Sequence, residues 1–85
     1  MQISIQNYEI LNFATDKLIA SEKGITKINS PNLLSALTEI KEIQSQPFEE
    51  HTLAQIFQKH ELNYQHTVDF LKKIVRITTH EHPEH

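Results

Sequence analysis

Two hydrophobic rhythms divide the chain. Residues 3–28 are rich in β-branched and aromatic types, broken by short polar groups, which suits strands. Residues 8–13 are predicted as a first strand, with Ala14-Thr15-Asp16 as its turn. Residues 17–21 make a second strand. Glu22-Lys23-Gly24 turns into a third over residues 25–28. Three-residue hairpin loops commonly end in a left-handed residue, and glycine adopts that conformation without steric cost. The only glycine of the chain falls at that position. Ile3 and Ile5 also alternate, and are expected either to extend the first strand or to stay loose.

After residue 30 the period lengthens. Ser30-Pro31 is a strong helix start, because serine caps free amides and proline suits the first helical position. Leu33, Leu37 and Ile40 recur at helical spacing beside Ala36 and Ile43, so a first helix is expected to run to about Gln46, with Pro47 stopping it. A second helix fits residues 49–59, with Leu53, Ile56 and Phe57 inward. Glu49 and Glu50 in its first turn favour the helix dipole. Asn63 caps a third helix that runs to about Arg76. The expected fold is α+β, a three-stranded antiparallel sheet followed by three helices in the order β-β-β-α-α-α. Helices two and three form a winged helix-turn-helix-like pair. Residues 1–78 make one domain, and residues 79–85 a polar tail or linker.

The third helix carries an apolar arc wider than one core contact needs. At 100° per residue, Val68, Leu71 and Val75 lie within about 40° of Tyr64. Thr67, Phe70, Ile74 and Ile77 form a second strip between about 220° and 300°. His66 and Lys73 border that strip, while Asp69, Lys72 and Arg76 take the solvated side. One reading packs the second strip on the sheet or on the first helix. The other places it beside the last strand, leaving a trough walled by Phe70 and Ile74 and by the backbone of residues 25–28. A peptide added there as a fourth strand would use main-chain hydrogen bonds and lay side chains against the helix. Lys27 would blunt the edge while it is empty.

Composition narrows the function classes. The chain has 85 residues, enough for one domain with a small core and little room for a buried catalytic cleft. With no cysteine there is no disulfide scaffold or thiolate chemistry, and a cytoplasmic setting is expected. No apolar run approaches the roughly 20 residues of a membrane helix. The start MQISIQNYEI has no basic region followed by an apolar stretch, so no signal peptide is expected. Net charge is −3. The only basic stretch is residues 61–78, where Lys72, Lys73 and Arg76 outnumber Glu61 and Asp69.

Candidate chemistry is sparse. His80, His82 and His85, with Glu81 and Glu84, sit in the polar tail. A flexible tail lacks the fixed geometry a zinc site requires, so no metal is expected. His51, His60 and His66 read as solvated helix residues. Glu39 with Glu42, and Glu49 with Glu50, read as solvated faces rather than as catalytic acid–base pairs. A single glycine cannot build a phosphate-cradling loop. No cofactor and no catalytic residue is expected.

Two segments, YEILNFATDKLIASEKGITKINSPNLLSALTEI and EEHTLAQIFQKHELNYQHTVDFLKKIVRI, resemble the RiPP recognition element. This is the PqqD-like, precursor-peptide-binding winged helix-turn-helix domain. The shared features are three short strands, an S-P entry to a leucine-rich helix, and a last helix ending F-L-K-K-I-V. The version at the start of the azoline-forming cyclodehydratase partner subunit of microcin-type clusters is the most similar, and it shares the aromatic-E-I opening. Many members carry L-D-G before the second helix, where this chain has I-Q-S-Q-P-F. The resemblance covers about residues 7–78. It implies that the leader of a ribosomal precursor peptide binds as an extra strand and is delivered to a modifying enzyme subunit. The implied site is Ile25, Thr26, Lys27 and Ile28 with Thr67, Phe70, Lys73 and Ile74, where Lys27 and Lys73 meet acidic leader residues at the rim. The rival reading is a DNA-binding winged helix-turn-helix regulator that uses Gln65, His66 and Asp69. A self-associating interaction module is the third.

Overall fold

The computed structural model describes residues 2–80. Its elements are β1 (Gln2–Ile5), β2 (Glu9–Phe13), β3 (Asp16–Ser21), β4 (Gly24–Ile28), α1 (Pro31–Ile43), β5 (Phe48–Glu49), α2 (Glu50–Lys59), α3 (Tyr64–Ile74) and β6 (Ile77–His80). The described strands form two antiparallel three-stranded sheets, ordered β5-β1-β6 and β2-β3-β4. The expected mixed α+β class and the three helices are present. The simple β-β-β-α-α-α order is not, because six strands occupy two sheets.

The second sheet arises from pairings that span the chain. Ile3 and Ile5 neither extend the meander nor stay loose. Their strand lies between β6 (Gln2↔His80, Ile3↔Thr79, Ser4↔Thr78, Ile5↔Ile77) and β5 (Gln2↔Glu49, Ile3↔Phe48). Both isoleucines are buried, while Gln2 and Ser4 between them are half-buried. Thr79 and His80, assigned to the tail from sequence, are therefore strand residues, and His80 Nε2 lies 2.8 Å from Ser4 Oγ. Glu81, His82, Glu84 and His85 fall outside the described residues.

The helix starts follow their signals. Ser30 accepts from the Leu33 amide at 3.2 Å with Pro31 in the first turn, and Asn63 accepts from the His66 amide at 2.9 Å. The helix ends differ from expectation. Helix α1 stops at Ile43, short of Gln46, and Gln44 Nε2 donates to the carbonyls of Ile5 (3.3 Å) and Gln6 (3.1 Å). Phe48 and Glu49 must extend to pair with β1, so helix cannot continue there. Helix α3 stops at Ile74. Val75 is extended (φ −140°, ψ 158°) and turns the chain toward β6, which puts Ile77 in a strand rather than on the helix.

The core gathers Ile3, Ile5, Ile19, Ile28, Leu37, Ile40, Leu53, Phe57, Leu71 and Val75 from both sheets and all three helices. Tyr8 is sealed among them, only 1% exposed. Its hydroxyl donates to the Leu37 carbonyl, so the buried polar atom is satisfied. Lys41 Nζ sits 5.1 Å from the centre of the Tyr8 ring and donates to the Tyr8 carbonyl, which joins α1 to the start of β2 through one residue.

Burial raises the Tyr8 phenol far above its ordinary value. The folded state thus holds this proton after the unfolded chain has released it, and stability falls as pH rises above about 10. Tyr8→Phe should lower unfolding free energy near neutrality by about 1 kcal/mol, the worth of one hydrogen bond. It should also remove part of the alkaline loss, as checked by urea midpoints of both proteins from about pH 8 to 11.

Candidate functional site

Strand β4 is an edge. Its one neighbour among the described residues is β3, with the register Lys17↔Ile28, Leu18↔Lys27, Ile19↔Thr26, Ala20↔Ile25 and Ser21↔Gly24. Its start is shaped by Gly24, whose φ of +122° disfavours any residue with a Cβ. The strand packs against α3 and α1. The turn before it is tied to the end of α3: Ser21 Oγ donates to the Ile74 carbonyl, Lys23 Nζ donates to the Lys72 carbonyl at 2.8 Å, and Arg76 pairs with Glu22 at 3.1 Å. These contacts occupy carbonyls that a helix C-terminus leaves free. They also hold the sheet and helix at one spacing.

Alternation splits the eight residues expected at the site. Thr26 and Ile28 share the inner face with Ile19, and Ile28 is buried. Ile25 and Lys27 point to the other face. There Ile25 is 66% exposed, and Lys27 reaches Asp16 at 3.3 Å. On α3, Thr67 and Ile74 are buried, Phe70 is half-buried against the core and Lys73 is exposed. The inner face of β4 and the second apolar strip of α3 thus belong to one region of the fold. Of the strip residues that lie within α3, Phe70 is the one with surface still open. A depression of about 310 Å³ adjoins the end of β4, lined among others by Lys17, Lys27, Ile28, Pro31 and Leu34.

Ser21 and Lys23, which tie the sheet to the end of α3, carry no signal of that role in the sequence. Their partners lie 53 and 49 residues away, and no local pattern signals such a contact.

Elsewhere the chemistry is structural. The larger groove, about 560 Å³ between α1 and α2, contains none of the eight residues. At its side Glu39 accepts from Lys59 Nζ (2.8 Å) and lies 3.1 Å from His60 Nε2, clamping α1 to the end of α2. Among the described residues no three His, Asp or Glu side chains are grouped to hold a metal, and no helix is long and apolar enough to cross a membrane. Of the residues weighed for base reading, Gln65 donates to Asp69 at 3.0 Å and His66 is exposed.

Fold and site together define a small α+β domain in which an open strand edge packs against the last of three helices. Residues 3–85 match the family of the microcin B17-processing protein McbB, and the chain belongs to that family. No curated protein matches its sequence. Among solved structures it is similar to a chain of the E. coli microcin synthetase McbBCD complex with pro-MccB17 bound. The TM-score is 0.83 at 17% identity, with 95% of this chain and 28% of that chain covered, so the two share a fold. The present chain thus corresponds to 28% of the length of that relative.

Two outcomes follow for the site and its surroundings. Ile74→Ala should cost about 2–5 kcal/mol of unfolding free energy, as for other buried isoleucines, whereas Phe70→Ala should cost clearly less; chemical denaturation checks both. Hydrogen bonds from Lys59 and then His60 hold the Glu39 carboxyl below its ordinary range. That support is present above about pH 4.3 and lost as pH falls, so Glu39→Gln should flatten the acid side of a melting-temperature profile.

Proposed function

We propose that this domain is a RiPP recognition element, a non-catalytic module that captures the leader of a ribosomally made precursor by strand addition and presents the precursor to a modifying enzyme in the cytoplasm. The observation that carries the reading is the free edge of β4, a strand with one sheet neighbour that packs on α3, the helix on which Phe70 keeps open surface. A leader strand at this edge gains main-chain hydrogen bonds from β4. It can also cover the open surface of Phe70 on α3, with Lys73 at the rim for an acidic side chain. Ile74, Thr67 and Ile28 are already buried, so they shape the floor rather than offer fresh surface. Their part is to keep the trough at one width. Of the lysines at the rim, Lys27 already faces Asp16, which leaves Lys73 as the less encumbered cation.

Family membership supports the same reading, since the matching family processes a microcin and the similar complex contains a bound pro-microcin. Capture on a docking domain raises the local concentration of the precursor core at the enzyme. The gain is effective concentration and requires no catalytic group here. Net charge of −3 and the Gln65–Asp69 hydrogen bond give the start of α3 little attraction for a phosphate backbone.

Titration of the ¹⁵N-labelled chain with a synthetic leader of a microcin-type precursor tests the reading. Amide shifts should concentrate in residues 25–28 and along α3. Phe70→Ala should weaken binding by about 1–3 kcal/mol, the scale for covering a large apolar side chain. Shifts at Gln65, His66 and Asp69 on adding duplex DNA, with steep salt dependence, would instead establish the DNA-binding reading.

A further inference from the structure

The register of the β3–β4 hairpin determines which main-chain groups lie on the free edge of β4. Only Glu22 and Lys23 separate Ser21 from its partner Gly24. The pair that closes a two-residue hairpin exchanges its own hydrogen bonds, and bonded and unbonded pairs then alternate along antiparallel strands. Ile19↔Thr26 is thus a bonded pair like Ser21↔Gly24, whereas Ala20↔Ile25 and Leu18↔Lys27 are not. The N–H and C=O groups of Ile25 and Lys27 therefore point away from β3, toward the open edge. Those of Thr26 point back into the hairpin.

Side chains sort the same three residues by face. Thr26 is on the inner face with the buried Ile19 and Ile28, and Ile25 and Lys27 are on the outer one. A leader that continues the antiparallel order of the sheet forms its bonded pairs opposite Ile25 and Lys27. Residues directly opposite each other project to the same face. The leader residues at those two places therefore stand on the outer face, and the one between them, opposite Thr26, stands on the inner face.

The two outer places differ in chemistry. Ile25 is 66% exposed, and among the described residues no strand lies beyond it. Toward β3 it has the Ala20 methyl directly opposite and Leu18 on the diagonal, so the apolar surface of the sheet runs out to its edge at this residue. Lys27 lies 3.3 Å from Asp16 and presents a compensated ion pair instead. We infer that Ile25 is a specificity-determining residue of the leader site, which selects an apolar side chain on the outer face of the leader strand. The inference rests on leader capture at the β4 edge. It gives the captured segment a definite pattern: two adjacent apolar residues, one inward and one outward against Ile25, with a polar residue opposite Lys27. A segment that strictly alternates apolar and polar residues serves the helix side alone and leaves Ile25 in water.

Anisotropy titrations of a labelled synthetic leader of a microcin-type precursor test this. Ile25→Thr keeps the branched side chain but puts a hydroxyl in the apolar contact. It should weaken binding about three- to fivefold, the scale of a cross-strand pair, with the melting temperature of the free chain unchanged. Ile25→Val, branched and apolar, should cost less than about twofold. Phe13→Ser, on the same face but two strands from the edge, should leave affinity as it was. Alanine replacement along the leader should find two adjacent apolar residues that matter, one of which no longer matters to Ile25→Thr. If Ile25→Thr binds like the unaltered chain while Phe70→Ala binds more weakly, the inference is overturned and leader capture stands. Strictly alternating sensitive positions in the leader, or a Phe13→Ser loss equal to that of Ile25→Thr, would overturn it as well. If the unaltered chain shows no binding and no amide shifts in residues 25–28, leader capture fails and this inference fails with it.

Discussion

The fold depends on burying Ile3 and Ile5 in a strand that has a neighbour on each side. Strand β1 is the middle of its sheet, and its partners come from the link between α1 and α2 and from the chain beyond α3. One four-residue strand thereby draws three distant points of the chain together. Main-chain and side-chain bonds reinforce it: the Gln6 amide donates to the Arg76 carbonyl at 2.8 Å, the Arg76 amide donates to Gln6 Oε1 at 3.3 Å, and Gln44 serves the Ile5 and Gln6 carbonyls. A domain this small buries a modest share of its surface, so each such closure weighs heavily on stability.

That closure determines what α3 can do. The helix begins at the Asn63 cap, and its last turn is gripped by Ser21 and Lys23 from the meander, with β1 and Gln6 just beyond. Tied to the meander through its last turn, α3 is held against β4. An edge strand with an apolar helix flank would otherwise tend to collapse or to pair with itself. Rigid support around an open edge favours binding an extended peptide, because little of the interaction energy goes into reorganising the receptor. Membership of the McbB family is what links this geometry to the peptide-docking proposal above.

The two sides of the meander differ in chemistry. Its inner face holds Ile19 and Ile28 against the helices, and its outer face leaves Phe13, Leu11 and Ile25 to solvent. Both the open edge and the apolar outer face belong to the same three strands. A strand added along that edge meets both faces, since successive side chains point to opposite sides of the sheet.

Several features were legible in the residues alone. Ser30-Pro31 and Asn63 start helices wherever they meet a helical period, and Gly24 marks the turn that needs a positive φ; each is a local steric or capping preference. The inward positions of Leu53, Ile56, Phe57, Val68 and Leu71 follow from periodicity. The eight residues expected at the site fall on β4 and α3, which pack together, but alternation along β4 splits Ile25 and Lys27 from Thr26 and Ile28. Both turns were expected to hold three unpaired residues, yet Phe13 pairs with Asp16 and Ser21 with Gly24. A one-residue change of register moves side chains to the opposite face, so Ile25 shares a face with Leu18 rather than with Ile19. Strand β1 stayed ambiguous because its partners lie more than 40 residues away. The sequence by itself determined the helices, their caps and the glycine turn, through interactions within a few residues. Only the tertiary structure decided strand register, the second sheet and which apolar side chains remain in water, because those depend on long-range pairings that compete for the same small core.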